Sequence, residues 1–344
     1  MFFNRLSKTP LEKAACLSQK NEAWEFSTCL ARGWIAPRRE APYRPYLSLI
    51  VSSSEKILLS KLHEKNPDTD RNLELLLKAM TKPSFGAGGA RRPQTVYLNN
   101  EDLVLAITSA LANLDINCQY RVSLPIFNKF RKSLEVGLRR GREDPSGLLS
   151  IPGVTAPVVG HLYELAADYY HASPWLWLDD QDPLVISYPY QSKPRYGIVM
   201  GSARESFGLA VYDTIEDLRL IFRSNISNRQ LVKQSSWLVL LFEAPTFMSF
   251  EDLDAISQYG WPIPNQDRYT FFGRAISPDG LNLPTKADLF WMEGAMSGII
   301  NFLHKYQENM PLEKLVDLEV PVTTINGPSH LRLQMPRLED LLNS

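Results

Sequence analysis

Cysteine is scarce in this chain: Cys16, Cys29 and Cys118 are the only three in 344 residues, and they lie far apart. Such scattering supplies neither a disulfide framework nor the paired short spacings of a zinc site. A reducing, cytoplasmic setting is therefore expected. Long apolar runs are missing too. Residues 1–20, MFFNRLSKTPLEKAACLSQK, open on two phenylalanines but hold no sustained apolar core of the kind a secretion signal needs. The most apolar long stretch, ADLFWMEGAMSGIINFLHKY at 287–306, is interrupted by Asp288 and Glu293. It falls short of a membrane span of about 20 apolar residues and reads as a buried amphipathic helix, so no membrane partner is expected. There is no repeat of fixed period. A Gly-x-Ser-x-Gly elbow and a recognised cysteine-nucleophile motif are also absent, which removes the local signatures of acyl-transfer catalysis.

What is present is the composition of a folded protein, with 44% hydrophobic and 22% charged residues. The length exceeds what one core usually organises, so two domains are expected. The formal net charge of -1 conceals an asymmetry. Residues 1–150 carry 23 Lys and Arg against 15 Asp and Glu, or +8, and residues 151–344 carry 14 against 23, or -9. The halves attract each other or meet different partners.

Along the first half, RPYLSLIVSSSEKILLSKL reads as two strands around a turn at Ser52, Ser53 and Ser54. DTDRNLELLLKAM follows as a helix with capping residues at 68–70. A strand at TVYL, a helix over 100–114, a strand at INCQYRV and a helix over 126–140 complete a β-β-α-β-α-β-α order. That order predicts a mainly parallel sheet led by an antiparallel hairpin and covered by helices. Residues 141–156 are rich in Gly, Pro and Ser and mark a boundary. Beyond them come a helix over 157–172, strands at LVISYPY, RYGIVMG, FGLAVY, SWLVLLFEA and YTFFGRAI, a helix at TIEDLRLIFRS and the helix near 286–306. The second half therefore reads as an α+β domain with an antiparallel sheet. The expected division is 1–145, 155–307 and an extended proline-bearing tail over 308–344.

Several polar patterns invite chemistry. GAGGARR follows a helix and lacks a Gly-Lys-Ser/Thr ending, so it reads as a connector and not a phosphate loop. His161, Glu164, Asp168 and His171 fall on one helical face. Such a stripe ligates a metal when a second helix supplies more ligands, but none with that pattern occurs, and a solvated face is the expectation. The helix NKFRKSLEVGLRRGR presents Lys129, Arg131, Lys132, Arg139, Arg140 and Arg142. Clustered cations neutralise phosphates, yet the acidic second half offers the same cations an internal partner. Contact of Arg139 with that half is expected over nucleic acid.

The phrase RPQTVYLNNEDLVLAITSALANLDINCQY and the element order around it resemble the ribonuclease H-like core of integrases and transposases. The resemblance implies two metal ions held by three carboxylates. Here the first acid position falls at Val51 or Ser52 and the second at Asn99, while Glu135 takes the third. Glu101 and Asp102 read as first-turn helix acids. A single acid cannot build the site, so a degenerate core is expected, with no catalytic residue, metal or cofactor.

In the second half, Pro174, Trp175, Trp177, Val199, Met200, Gly201, Glu205, Gly208, Leu209, Val211 and Tyr212 form a pattern. It resembles the hallmark of a bacterial domain of unknown function common in cyanobacteria, and the likeness extends over most of the chain. The fold class expected overall is thus a ribonuclease H-like mixed-sheet domain followed by an antiparallel-sheet α+β domain. Trp175 and Trp177 are expected as core or interface anchors, with a stacking surface as the alternative. Candidate binding residues are Trp175, Trp177, Arg195, Glu205, Arg139 and Arg140. The leading reading is a non-enzymatic cytoplasmic binding or assembly protein with a protein partner. An enzyme with a site at the domain junction, built on Asp179, Asp180, Asp182, Arg195 and Glu205, and a nucleic-acid-binding protein are the alternatives.

Overall fold

The computed structural model describes residues 9–179, 181–189, 193–202, 206–222, 234–276, 280–309 and 316–343. The chain divides into two compact units, residues 1–143 and 144–344.

In the first unit, strands β1 (Gln19–Leu30), β2 (Tyr46–Ser52), β3 (Ile57–His63), β4 (Arg92–Leu98) and β5 (Asn117–Tyr120) join in the order β3-β2-β1-β4-β5. β1, β2 and β3 pair antiparallel, whereas β1, β4 and β5 run parallel. The sheet is mixed, as the expected fold class has it, but its parallel pairs do not predominate, because β1 extends the antiparallel hairpin to three strands. Its central strand, β1, was not expected from the sequence. Alternation of side chains across the strands sends Trp24, Phe26 and Ile50 to one face, packed with Leu76 and Met80 of α2 (Thr69–Thr81) and Ile107 of α3 (Glu101–Ala112). Leu47, Leu49 and Val51 meet Phe127 of α4 (Pro125–Leu138) on the other.

A strand covered on both faces usually reads as a continuous apolar run. β1 instead carries Glu25, Ser27 and Thr28, because each polar group finds a partner from another element. Helix α2 is capped by Asp68, whose Oδ1 accepts the Arg71 N–H at 2.8 Å, and α3 by Asn100, which accepts from Leu103 at 2.8 Å. Helix α4 has Leu124 at its N-cap and no local acceptor. Glu25 Oε2 takes its Phe127 N–H across the sheet, at 2.7 Å. The GAGGARR connector is pinned by its own arginine: Arg91 Nη1 donates to the carbonyls of Ala87 and Gly89, 3.0 Å each, and Nε to Glu22 at 2.5 Å. A short helix, α1 (Pro10–Ala15), precedes β1.

The second unit is built on an eight-stranded antiparallel sheet in the order β11-β10-β9-β8-β7-β6-β13-β12. Its strands are β6 (Leu184–Ser187), β7 (Arg195–Met200), β8 (Phe207–Tyr212), β9 (Trp237–Glu243), β10 (Tyr269–Ile276), β11 (Gly280–Asn282), β12 (Val316–Thr324) and β13 (Gly327–Met335). Helices α5 (Ala156–Ala172), α7 (Phe250–Tyr259) and α8 (Lys286–Asn309) contribute Tyr163, Tyr169, Ile256, Met292 and Phe302 to the main core on one face. On the other face α6 (Ile215–Ile221) and α9 (Leu338–Asn343) cover Ile198, Ala210 and Tyr212. No helix among the described residues is long and apolar enough to cross a membrane.

The expected extended tail over 308–344 is corrected by the β12–β13 hairpin. Pro321 sits in β12, at the edge of the sheet, where a missing N–H leaves no inner ladder bond unmade. Helix α7 was also not expected, although Ser249 accepts the Asp252 N–H at 3.0 Å and Gly260 ends the helix at φ 66°.

The cap that Glu25 provides is testable. Glu25→Ala orphans a buried N–H and should lower the unfolding free energy by about 1–3 kcal/mol in urea with an unchanged m-value. Glu55→Ala, which removes the exposed partner of Lys129, should cost only about 0–1 kcal/mol.

Candidate functional site

The carboxyl ends of the parallel neighbours β1 and β4 open a cleft of about 230 Å³ lined by Ser27, Thr28, Asn72, Asn99, Asn100 and Asp102, among others. Parallel strands leave such crevices at their carboxyl ends. Ser27 Oγ donates to Asn99 Oδ1 at 2.6 Å, and Thr28 Oγ1 to Asn72 Oδ1 at 3.0 Å. Asn72 in turn donates to the carbonyls of Pro67 and Asp68 at 3.0 and 2.9 Å. The lining is a neutral hydrogen-bonded set, and the acids that border it, Asp68 and Asp102, are exposed at helix starts. Glu135 does not line the cleft. It is buried, and its Oε1 accepts the Arg32 N–H at 3.0 Å. Val51 and Ser52 belong to β2, one strand away from the pair that forms the cleft.

The basic helix spends part of its charge locally. Arg139 Nη1 donates to the Arg32 carbonyl at 3.0 Å and Nε to that of Arg142 at 3.1 Å. Lys129 pairs with Glu55 at 2.5 Å. Arg140 is exposed at φ 55°, in the turn that ends the helix.

In the second unit Trp175 belongs to an aromatic cluster, with ring centroids 4.8 Å from Phe207 and 5.3 Å from Tyr170. Gly201 holds it there. At φ 135°, a conformation that favours glycine, a Cβ would stand 2.7 Å from Phe207 and 2.8 Å from Trp175. Trp177 is 44% exposed, and beside it Leu176 is 74% exposed. Asp179 and Asp182 line the same cleft and form a polar turn, the Asp179 N–H donating to Asp182 at 3.2 Å. Glu205 and Asp180 lie outside the described residues. Arg195 does not join the tryptophans. Its guanidinium lies 4.7 Å over the Trp291 ring and 3.3 Å from Asp213, which Arg274 also bonds at 3.0 Å. Burial pulls the Arg195 pKa down against the attraction of Asp213.

The least expected feature is Glu293. It is 1% exposed on α8, and its Oε1 accepts the Ile325 N–H at 2.5 Å. His161 Nε2 stands 2.8 Å from the same oxygen, an ion pair when the imidazole is protonated. So the helical stripe is split: Glu164, Asp168 and His171 are exposed, while His161 turns toward a buried acid. Among the described residues no three His, Cys, Asp or Glu side chains gather where a metal ion would sit. Burial drives the Glu293 carboxyl above the usual carboxylate range, with the Ile325 N–H and His161 opposing. A lone Glu amid buried apolar positions was the available signal, since an unpaired acid is almost never fully buried.

Two family models match. Residues 11–135 match DUF6930 and residues 160–318 match DUF7309, each a domain of unknown function. No curated protein matches the chain. A chain in the cryoEM structure of the simian T-cell lymphotropic virus intasome in complex with PP2A regulatory subunit B56 gamma aligns at 9% identity, over 55% of this chain and 74% of that one. The TM-score of 0.22 is too low for that likeness to carry an argument.

A pH dependence follows from Glu293. With its folded pKa raised, the folded state keeps a proton that the unfolded chain has already lost. Stability should therefore fall as pH rises from the ordinary carboxylate range, about 4, through the raised value. Urea unfolding at successive pH values should show this fall. Glu293→Gln should flatten it, leaving the share of Asp252, whose carboxyl burial also raises.

Proposed function

We propose that the chain is a non-enzymatic cytoplasmic binding or assembly protein, with a ribonuclease H-like first domain that has lost its metal site. The observation that carries this reading is the cleft at the ends of β1 and β4. Phosphoryl transfer by two metal ions needs carboxylates at the centre of such a site. With β1 as the central strand, the first acid position moves from Val51 or Ser52 on β2 to Ser27, beside Asn99 across the parallel pair, and the second stays at Asn99. Ser27 and Asn99 bond each other, and Asn100 caps α3. Glu135, the remaining candidate, is committed to Arg32. A mixed sheet that begins with an antiparallel meander and continues through parallel crossovers supports the scaffold. The three scattered cysteines support the compartment.

A protein is the proposed partner. Leu176 and Trp177 present an exposed apolar pair in the second unit, of the kind that marks interaction sites when contiguous. Nucleic acid is disfavoured because Arg139 already donates to two carbonyls.

The purified chain should show no divalent-metal-stimulated cleavage of DNA, RNA or hybrid duplex. Turnover lost on Glu135→Ala would overturn the reading. Affinity for generic DNA and RNA at physiological salt should be no tighter than the non-specific range of about 10⁻⁴ to 10⁻⁶ M. Tight, steeply salt-dependent binding that Arg139→Glu and Arg140→Glu abolish would establish the basic helix as a nucleic-acid surface instead.

A further inference from the structure

A second cleft, of about 450 Å³, lies between α8 and the β12–β13 turn. Tyr188, just after β6, and Phe290, Trp291 and Glu293 of α8 line it together with Thr324 at the end of β12 and Asn326 of the turn. Its size is that of a small-ligand site, about 300–1,000 Å³. The aromatic wall is held in place. Tyr188 meets Trp291 edge-on at 5.1 Å, and its hydroxyl rests where a Cβ on Gly294 would be, so only glycine at 294 admits it.

Glu293 supplies the charge. One oxygen is taken by the Ile325 N–H. The other, Oε2, is buried and accepts no hydrogen bond among the described residues. A buried carboxylate oxygen left without a donor is costly. Two rings of this wall already draw a cation of the chain to one face, Arg195 over Trp291 at 4.7 Å and Lys286 over Phe290 at 5.6 Å.

The chemistry of the lining selects among ligands. An anion would meet the Glu293 charge. A neutral apolar group would leave Oε2 unanswered, and a metal ion would lack ligands, since no three His, Cys, Asp or Glu side chains cluster among the described residues. Aromatic faces beside a carboxylate suit an organic cation. We propose that this cleft binds a small organic cation, an alkylammonium or alkylguanidinium group, with Glu293 as its counter-ion and Tyr188 and Trp291 as its wall. His161 Nε2 stands 2.8 Å from Oε1, so Oε2 is the oxygen left for a ligand. The net charge of residues 151–344, 14 basic against 23 acidic side chains, favours the approach of a cation.

Calorimetric titration of the full chain with n-butylammonium and n-butylguanidinium, with butanol and butyrate as neutral and anionic controls, tests the assignment. The cations should bind saturably and the controls should not. Glu293→Gln keeps the shape and the acceptor for Ile325, and should weaken cation binding at least about tenfold. Ala287→Trp, at an exposed position lining the cleft, should block it with the far-ultraviolet circular dichroism unchanged, which separates loss of the site from loss of the fold. A blocked Gly-Lys-Gly peptide distinguishes the source. Tighter binding than butylammonium assigns a protein side chain and weaker binding a free amine, and both support the proposal. Absence of saturable cation binding, equal binding of butanol or butyrate, or wild-type affinity in both variants would overturn it.

Discussion

A carboxylate removed from water has to be met by hydrogen-bond donors, and for four of the buried acids among the described residues one donor is a backbone N–H far along the sequence. Glu25 accepts from Phe127, Glu135 from Arg32, Asp252 from Leu148 and Glu293 from Ile325. All four acids are buried. Each bond answers two needs at once, since a buried N–H without an acceptor costs as much as a buried acceptor without a donor, about 1–3 kcal/mol. In the first unit the device works twice between the same elements. Glu25, on β1, holds the start of α4, and Glu135, near the end of α4, holds the chain just beyond β1. The helix is lashed to the central strand at both ends.

This lashing bears on the chemistry available at the ends of β1 and β4. The acid that would complete a metal site is the one that fastens α4, so it cannot serve both purposes in the observed arrangement. The cleft keeps its shape because Ser27, Thr28, Asn72 and Asn99 satisfy one another with neutral groups. The crossover of a parallel pair makes a crevice, and the residues within it need no ion to be stable.

In the second unit the same device has two outcomes. Asp252 is fully engaged, one oxygen with the Leu148 N–H and the other with the Ser249 hydroxyl, at 2.8 and 2.9 Å. Glu293 is only half engaged. The first is an anchor for the segment entering the unit, whereas the second anchors the β12–β13 turn with one oxygen and leaves the other without a hydrogen-bond donor among the described residues. The difference arises from neighbours and not from residue type.

By itself the sequence determined the elements whose signals are local. The hairpin around residues 52–54, the capped helices at 69–81 and 101–112, and the strands from Leu184 to Glu243 were legible, because alternation and helical spacing report the burial of one face. β1 was not legible, since its polar residues are satisfied only by α4, β4 and α2. Nor was the β12–β13 hairpin, whose prolines read as breakers until the strand proved to lie at an edge. At the candidate sites, the asparagines at 99 and 100 were visible as neutral residues before a helix, but that Ser27 is their neighbour and that Glu135 faces away depended on parallel pairing between strands some seventy residues apart. Glu293 was visible as a charge in an apolar helix. Whether its oxygens were answered was decided by a turn 32 residues later, since only the folded chain sets which donor stands beside which acceptor.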